Sequence, residues 1–160
     1  MNPRLQRLRA EIASDRAALS ACLDELAALS LTPPAADRGD LARVAVALHH
    51  AYSAYETILV RLAREFEGEP AAGPDWHQAL LDRMSLELEG VRPRVIAAES
   101  QAALRLLLGF RHFFRHAYAV ALDPERLEAL RSRAVSSREL LSADLDAIDA
   151  FLAGLACDGT

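Results

Sequence analysis

The sequence predicts an all-α fold: an antiparallel bundle of five to six helices in a single domain spanning residues 1–160. Three observations predict it. Hydrophobic residues make up 52% of the chain and are rich in Ala and Leu, which with Arg and Glu are strong helix formers. Runs of β-branched residues are nearly absent, which removes the main strand signal. Apolar residues recur at three- and four-residue spacing over long stretches, and Pro or Gly separates the stretches. A chain of 160 residues is long enough to bury roughly 70% of its unfolded surface in one core.

Taken in order, residues 4–30 read as one long helix. Leu5, Leu8, Ile12, Leu19, Cys22, Leu26 and Leu29 form its stripe, interrupted once by Asp15. Pro33, Pro34 and Gly39 mark a loop, after which Asp40 is the expected N-cap of a second long helix. Its stripe is Leu41, Val44, Leu48, Tyr55, Ile58, Leu62 and Phe66. Gly68, Pro70, Gly73 and Pro74 end it. Asp75 caps a shorter third helix, with Leu80, Leu81, Met84 and Leu88 inward and a stop at Gly90. A fourth helix runs from about Glu99 to Tyr118. Asp123-Pro124 combines a cap with Pro at the first helical position and opens a fifth. Ser136 or Ser137 caps the last, with Leu141, Leu145, Ile148, Leu152 and Leu155 on its stripe.

The charge is uneven. All 18 basic residues are Arg, set against 23 acids for a net charge of −5. Residues 1–90 hold 9 Arg and 14 acids, residues 91–133 hold 8 and 4, and residues 134–160 hold 1 and 5. The exclusive use of Arg does not by itself signal nucleic-acid binding, but the basic middle segment can hold a polyanion that the chain as a whole repels. Cys22 and Cys157 fit no metal or redox spacing, so a reduced cytoplasmic protein is expected. A signal peptide is not expected, because charge begins at Arg4. No uncharged apolar run approaches a bilayer span. Gly-rich phosphate loops, zinc-finger patterns and Ser or Cys nucleophile motifs are absent from the sequence.

The basic segment centres on Phe110-Arg111-His112-Phe113-Phe114-Arg115-His116-Ala117-Tyr118. On a helix its residues fall on three lines: Leu104, Leu107, Arg111, Phe114 and Tyr118; Leu106, Phe110, Phe113 and Ala117; and the polar Arg105, Gly109, His112 and His116. Two apolar lines predict burial on two sides, one against the bundle and one against a partner or second copy. Arg111 stands inside an apolar line, so either it has a carboxylate partner or it waits for an anion. At about 100° per residue, Arg111 and His116 diverge by roughly 140° while Arg111 and Tyr118 align. Arg111 and His116 can meet only through a distorted helix, a curled Arg side chain or a second chain.

Other readings of the same residues are a core salt bridge for Arg111 and a helix-end cap for His116. His112 and His116 also have an i, i+4 metal-ligand spacing, to which His49, His50 or His77 could add a third ligand. Paired Glu-x-x-His motifs are missing, which argues against a carboxylate-bridged di-metal site. Trp76 and His77 read as first-turn packing residues, Tyr52 and Tyr55 as core or interface aromatics, and His49-His50 as a pair at the core edge.

Arg111-x4-His116-x-Tyr118 resembles the signature of HepT-like ribonuclease toxins of the HEPN superfamily. Also similar are Tyr52-Ser53-Ala54-Tyr55-Glu56, the turn Gly73-Pro74-Asp75-Trp76-His77, Arg92-Pro93, and the polar His112 after the motif Arg. The resemblance covers roughly residues 44–135 and shows no departure at the three motif positions. It implies a HEPN-type fold, a homodimer with the motif near its interface, and metal-independent RNA cleavage without a cofactor. In that reading His116 moves a proton and Arg111 holds the scissile phosphate, with His112 and Arg115 assisting substrate binding. The family also implies a partner, a minimal nucleotidyltransferase antitoxin that transfers AMP to the motif Tyr, here Tyr118. The added charge and bulk would block RNA. Two other functions stay open: a catalytically weak helical module that binds a nucleotidyltransferase, and a three-His metalloprotein bundle.

Overall fold

The computed structural model describes residues 2–31, 37–70, 72–116 and 121–158. They form six helices: α1 (Pro3–Ala28), α2 (Arg38–Phe66), α3 (Trp76–Met84), α4 (Ala98–His116), α5 (Pro124–Ser136) and α6 (Arg138–Asp158). The all-α expectation holds. No strand occurs among the described residues, only an isolated antiparallel bridge between Leu88 and Arg92.

α1 starts where Asn2 accepts the Arg4 N–H at 3.0 Å and Pro3 needs no partner for its nitrogen. Leu5, Leu8, Ile12, Leu19 and Leu26 are buried as expected, and Leu23 joins them. Cys22 is only half-buried, and burial pushes its thiol pKa up. The polar interruption at Asp15 is answered by Arg61 of α2, whose guanidinium reaches Asp15 at 2.6 Å and Glu11 at 2.5 Å.

α2 begins earlier than the sequence predicts. Asp37, not Asp40, is its cap, accepting the Asp40 N–H at 2.8 Å. Asp40 sits inside the first turn, where its charge suits the helix dipole. α2 is the central element and touches α1, α3, α4 and α5. It therefore buries far more than one stripe: Ala45, Ala47, Ala51, Tyr52, Leu59 and Ala63 join Val44, Leu48, Tyr55, Ile58 and Leu62. Gly68, at φ +92°, turns the chain away after it.

α3 is the largest departure, because it stops at Met84 rather than Gly90. Ser85 Oγ donates to the Asp82 carbonyl at 2.7 Å and closes the helix. Beyond it the backbone carbonyls are satisfied by a side chain instead of by helix. The buried Arg92 donates to the carbonyls of Leu86 (2.8 Å), Arg83 (2.9 Å) and Pro93 (3.0 Å), and to Glu67 at 2.6 Å. Leu88 ends up half-buried in this turn rather than inward-facing. Asp75 precedes α3 but makes no side-chain cap bond.

α5 starts as predicted, with Asp123 accepting the N–H groups of Glu125 and Arg126. Neither Ser136 nor Ser137 caps α6. Both hydroxyls donate back to the Arg133 carbonyl, and α5 passes into α6 through Ser137 alone. Leu141, Leu145, Ile148 and Leu152 are buried as expected, but Ala156 takes the inward place expected of Leu155.

Candidate active site

Three helices converge on the motif. α2 contributes Tyr52 and Glu56, α3 contributes His77, and α4 contributes Arg111 and His112. α4 is continuous to His116 and carries Arg115 and His116 in its last turn, where positive charge suits the dipole. It buries Leu104, Leu107, Leu108, Phe110 and Arg111, while Arg105, Gly109, His112 and His116 form the exposed polar line read from the sequence. The second apolar line is partly uncovered, with Leu106 51% and Phe113 44% exposed.

Arg111 has its carboxylate, together with a partner that the sequence did not reveal. Its Nη1 donates to His77 Nε2 at 3.1 Å, and its Nη2 lies 3.6 Å from Glu56 Oε1. His77 Nδ1 lies 2.5 Å from Glu56 Oε2. A guanidinium can only donate, so His77 Nε2 must accept, and the ring is neutral with its proton on Nδ1. All three side chains are buried. The Arg111 guanidinium also lies over the Tyr52 ring, 5.9 Å from its centre. Trp76 stacks beside His77 at 3.8 Å, and His112 meets it edge-on at 5.3 Å. His77 is thus not a simple first-turn packing residue, and Tyr52 is a core aromatic with a role at the motif.

The surrounding groups register these charges. Burial first, then the nearby Glu56 charge, pushes the Tyr52 hydroxyl well above its ordinary range, and its oxygen has no hydrogen-bond partner of good geometry. Partial burial, then His77, Arg111 and His116, lower the His112 pKa. His49 is lowered by burial, then by Arg111, His50 and Arg115.

His116 is exposed and lies apart from this cluster. Its Nδ1 sits 2.8 Å from the His112 carbonyl, which can only accept. Nδ1 therefore carries a proton and donates it to that carbonyl, which leaves Nε2 as the ring nitrogen that can exchange one. Arg111 enters the bundle while His116 remains outside, as the helix geometry predicts. α4 is unbroken helix through both residues, and Arg111 reaches toward His77 rather than toward His116. Arg115 is exposed beside His116. Tyr118 lies outside the described residues. No grouping of three or more His, Cys, Asp or Glu side chains suited to a metal ion occurs among the described residues, and no described helix is long and apolar enough to cross a membrane.

The contribution of Glu56 and His77 was hidden from sequence reasoning. The available signals were a Glu one turn after Tyr52 on the central helix α2, and a His beside the Trp of the α3 turn.

Residues 43–154 match the family described as HepT-like protein. The chain belongs to this HepT-like family. Its bundle is accordingly a HEPN-like one. Comparison with curated proteins and with solved structures yields no significant match. The Glu56–His77–Arg111 cluster and the exposed His116 both fall inside the matched range.

Proposed function

We propose that this HepT-like chain is the toxin of a type VII toxin–antitoxin pair, a cytoplasmic endoribonuclease that cleaves RNA without a metal. The observation that carries the reading is His116, exposed at the basic end of α4 with its Nδ1–H tied to the His112 carbonyl. Nε2 is then free to take the proton of an RNA 2′-hydroxyl. The 2′-oxygen attacks phosphorus, the 5′-oxygen leaves with a proton, and the product is a 2′,3′-cyclic phosphate. Arg115 and His112 flank His116 and would bind the backbone, and Arg111 supplies charge for the phosphate. Exposed Leu106 and Phe113 on the same helix support a homodimer that sets a second α4 alongside the first. Tyr118 would accept AMP from a cognate minimal nucleotidyltransferase, placing negative charge two residues from His116.

The test is cleavage of total RNA by the purified chain in EDTA, with cyclic-phosphate ends detected on the fragments and the activity lost in His116→Ala. Equal inertness of wild type and His116→Ala would refute it. One observation favours the runner-up reading, a catalytically weak module that binds a nucleotidyltransferase: in the single chain Arg111 is buried and already has partners. Intact mass after co-expression with the transferase separates the steps, since an added AMP should vanish in Tyr118→Phe.

A further inference from the structure

We infer that Glu56 and His77 are positioning residues for Arg111, fixing its guanidinium in the one orientation from which it would serve an RNA phosphate. The inference rests on the ribonuclease reading above for its consequence, but on bond geometry for its argument. Elsewhere among the described residues Arg–carboxylate pairs are direct, and two of them are two-pronged. Arg131 reaches Glu128 at 2.8 and 2.6 Å, and Arg9 reaches Asp149 at 2.8 and 2.9 Å. Such pairs satisfy the cation. The Arg111 cluster is built differently. Glu56 makes its short contact, 2.5 Å, with the neutral His77 ring, and His77 in turn holds Arg111 at 3.1 Å. The direct Glu56–Arg111 approach is 3.6 Å, outside hydrogen-bonding range. The carboxylate thus orients a ring and the ring orients the cation, so that the guanidinium is held in one orientation. The buried Arg111 Nε has no hydrogen-bond partner among the described residues.

The neighbours serve the same end. Trp76 holds one side of His77 and Tyr52 lies under the guanidinium, so neither ring can swing freely. A salt bridge built only for stability needs none of this, since a Glu56 in direct two-pronged contact with Arg111 would suffice.

The test uses the full chain with Glu56→Gln, His77→Ala and, as a comparison, Asp15→Asn, which breaks the Arg61 ion pair away from the motif. Thermal melts establish that each variant is folded. With RNA in EDTA, kcat should fall about 10- to 100-fold in Glu56→Gln and His77→Ala with KM within about threefold, the usual effect of a misplaced catalytic group. Adding Arg111→Ala to either should cost less than Arg111→Ala costs in wild type. Asp15→Asn should cleave like wild type. Unchanged kcat in folded Glu56→Gln and His77→Ala overturns the proposal, and so do fully additive effects. A second measurement does not need activity. The ¹⁵N spectrum should show His77 protonated on Nδ1 only, and a sharp Arg111 side-chain N–H signal that broadens in Glu56→Gln and His77→Ala but not in Asp15→Asn. An Arg111 signal indifferent to both variants overturns the positioning role even if no RNA is cleaved. Inert wild type with the expected spectra counts against the ribonuclease reading alone.

Discussion

Arg111→Met tests how the buried cluster is held together. Met keeps the volume and removes the charge, so Glu56, at 8% side-chain exposure, is left with His77 as its only polar partner of the cluster. Removing one partner of a buried ion pair costs about 3–5 kcal/mol. The figure here should be smaller, because His77 keeps its 2.5 Å contact with Glu56 and the direct Arg–Glu approach is 3.6 Å. We expect about 2–3 kcal/mol, near the cost of stranding one buried polar group. For a chain of this size that corresponds to a melting temperature lower by roughly 4–12 °C. The double variant Glu56→Gln/Arg111→Met removes both charges and should recover most of the loss. Arg105→Met is the surface comparison. Arg105 pairs with Asp82, but the two side chains are 49% and 50% exposed, so the change should stay within about 0.5 kcal/mol. Differential scanning calorimetry of the four proteins decides the matter. An Arg111→Met protein as stable as wild type refutes the reasoning, as does a double variant no better than the single one.

Three further outcomes follow from the same structure. Gly109→Ala should raise the melting temperature by about 2–4 °C, since Gly in a helix interior costs about 1 kcal/mol and the added Cβ meets nothing within 4 Å; a lower melting point of the monomer would contradict this. Arg92→Met should cost about 2–3 kcal/mol by removing the donors to Glu67 Oε1 and to the carbonyls of Leu86 and Pro93, Arg83 remaining on the other Glu67 oxygen, and hydrogen exchange should quicken first in residues 85–97. His49 and His112 both titrate below the ordinary 6.5 in the folded chain. Their contribution is therefore full above 6.5 and is lost as pH falls from there toward the lowered folded values. The decline of melting temperature with acid should flatten in the double variant His49→Gln/His112→Gln.

Much of this protein was legible in its sequence, for physical reasons visible residue by residue. Helix identity follows from spacing and composition, which are local, so α1, α2, α4 and α6 fall where the apolar stripes place them. The Asp123-Pro124 start was legible because cap and proline act within one turn. The divergence of Arg111 and His116 was legible because it depends only on the helical repeat. Local signals misled where two of them competed: Asp37 displaces Asp40 as a cap, and Ser85 closes α3 five residues before Gly90 could act.

What only the tertiary structure decided is which side chains meet. Leu23, Leu108 and Ala156, left off the predicted stripes, are buried because neighbouring helices cover them. Arg92 is buried because one turn needs its donors. Above all, no spacing connects Glu56, His77 and Arg111, which lie 21 and 34 residues apart. The packing of α2, α3 and α4 alone joins them, since a hydrogen bond depends on distance in space and leaves no period in the chain. The sequence by itself determined the helices, the family and the motif; the fold decided that Arg111 is held through His77, and that His116 stands apart, exposed at the end of α4.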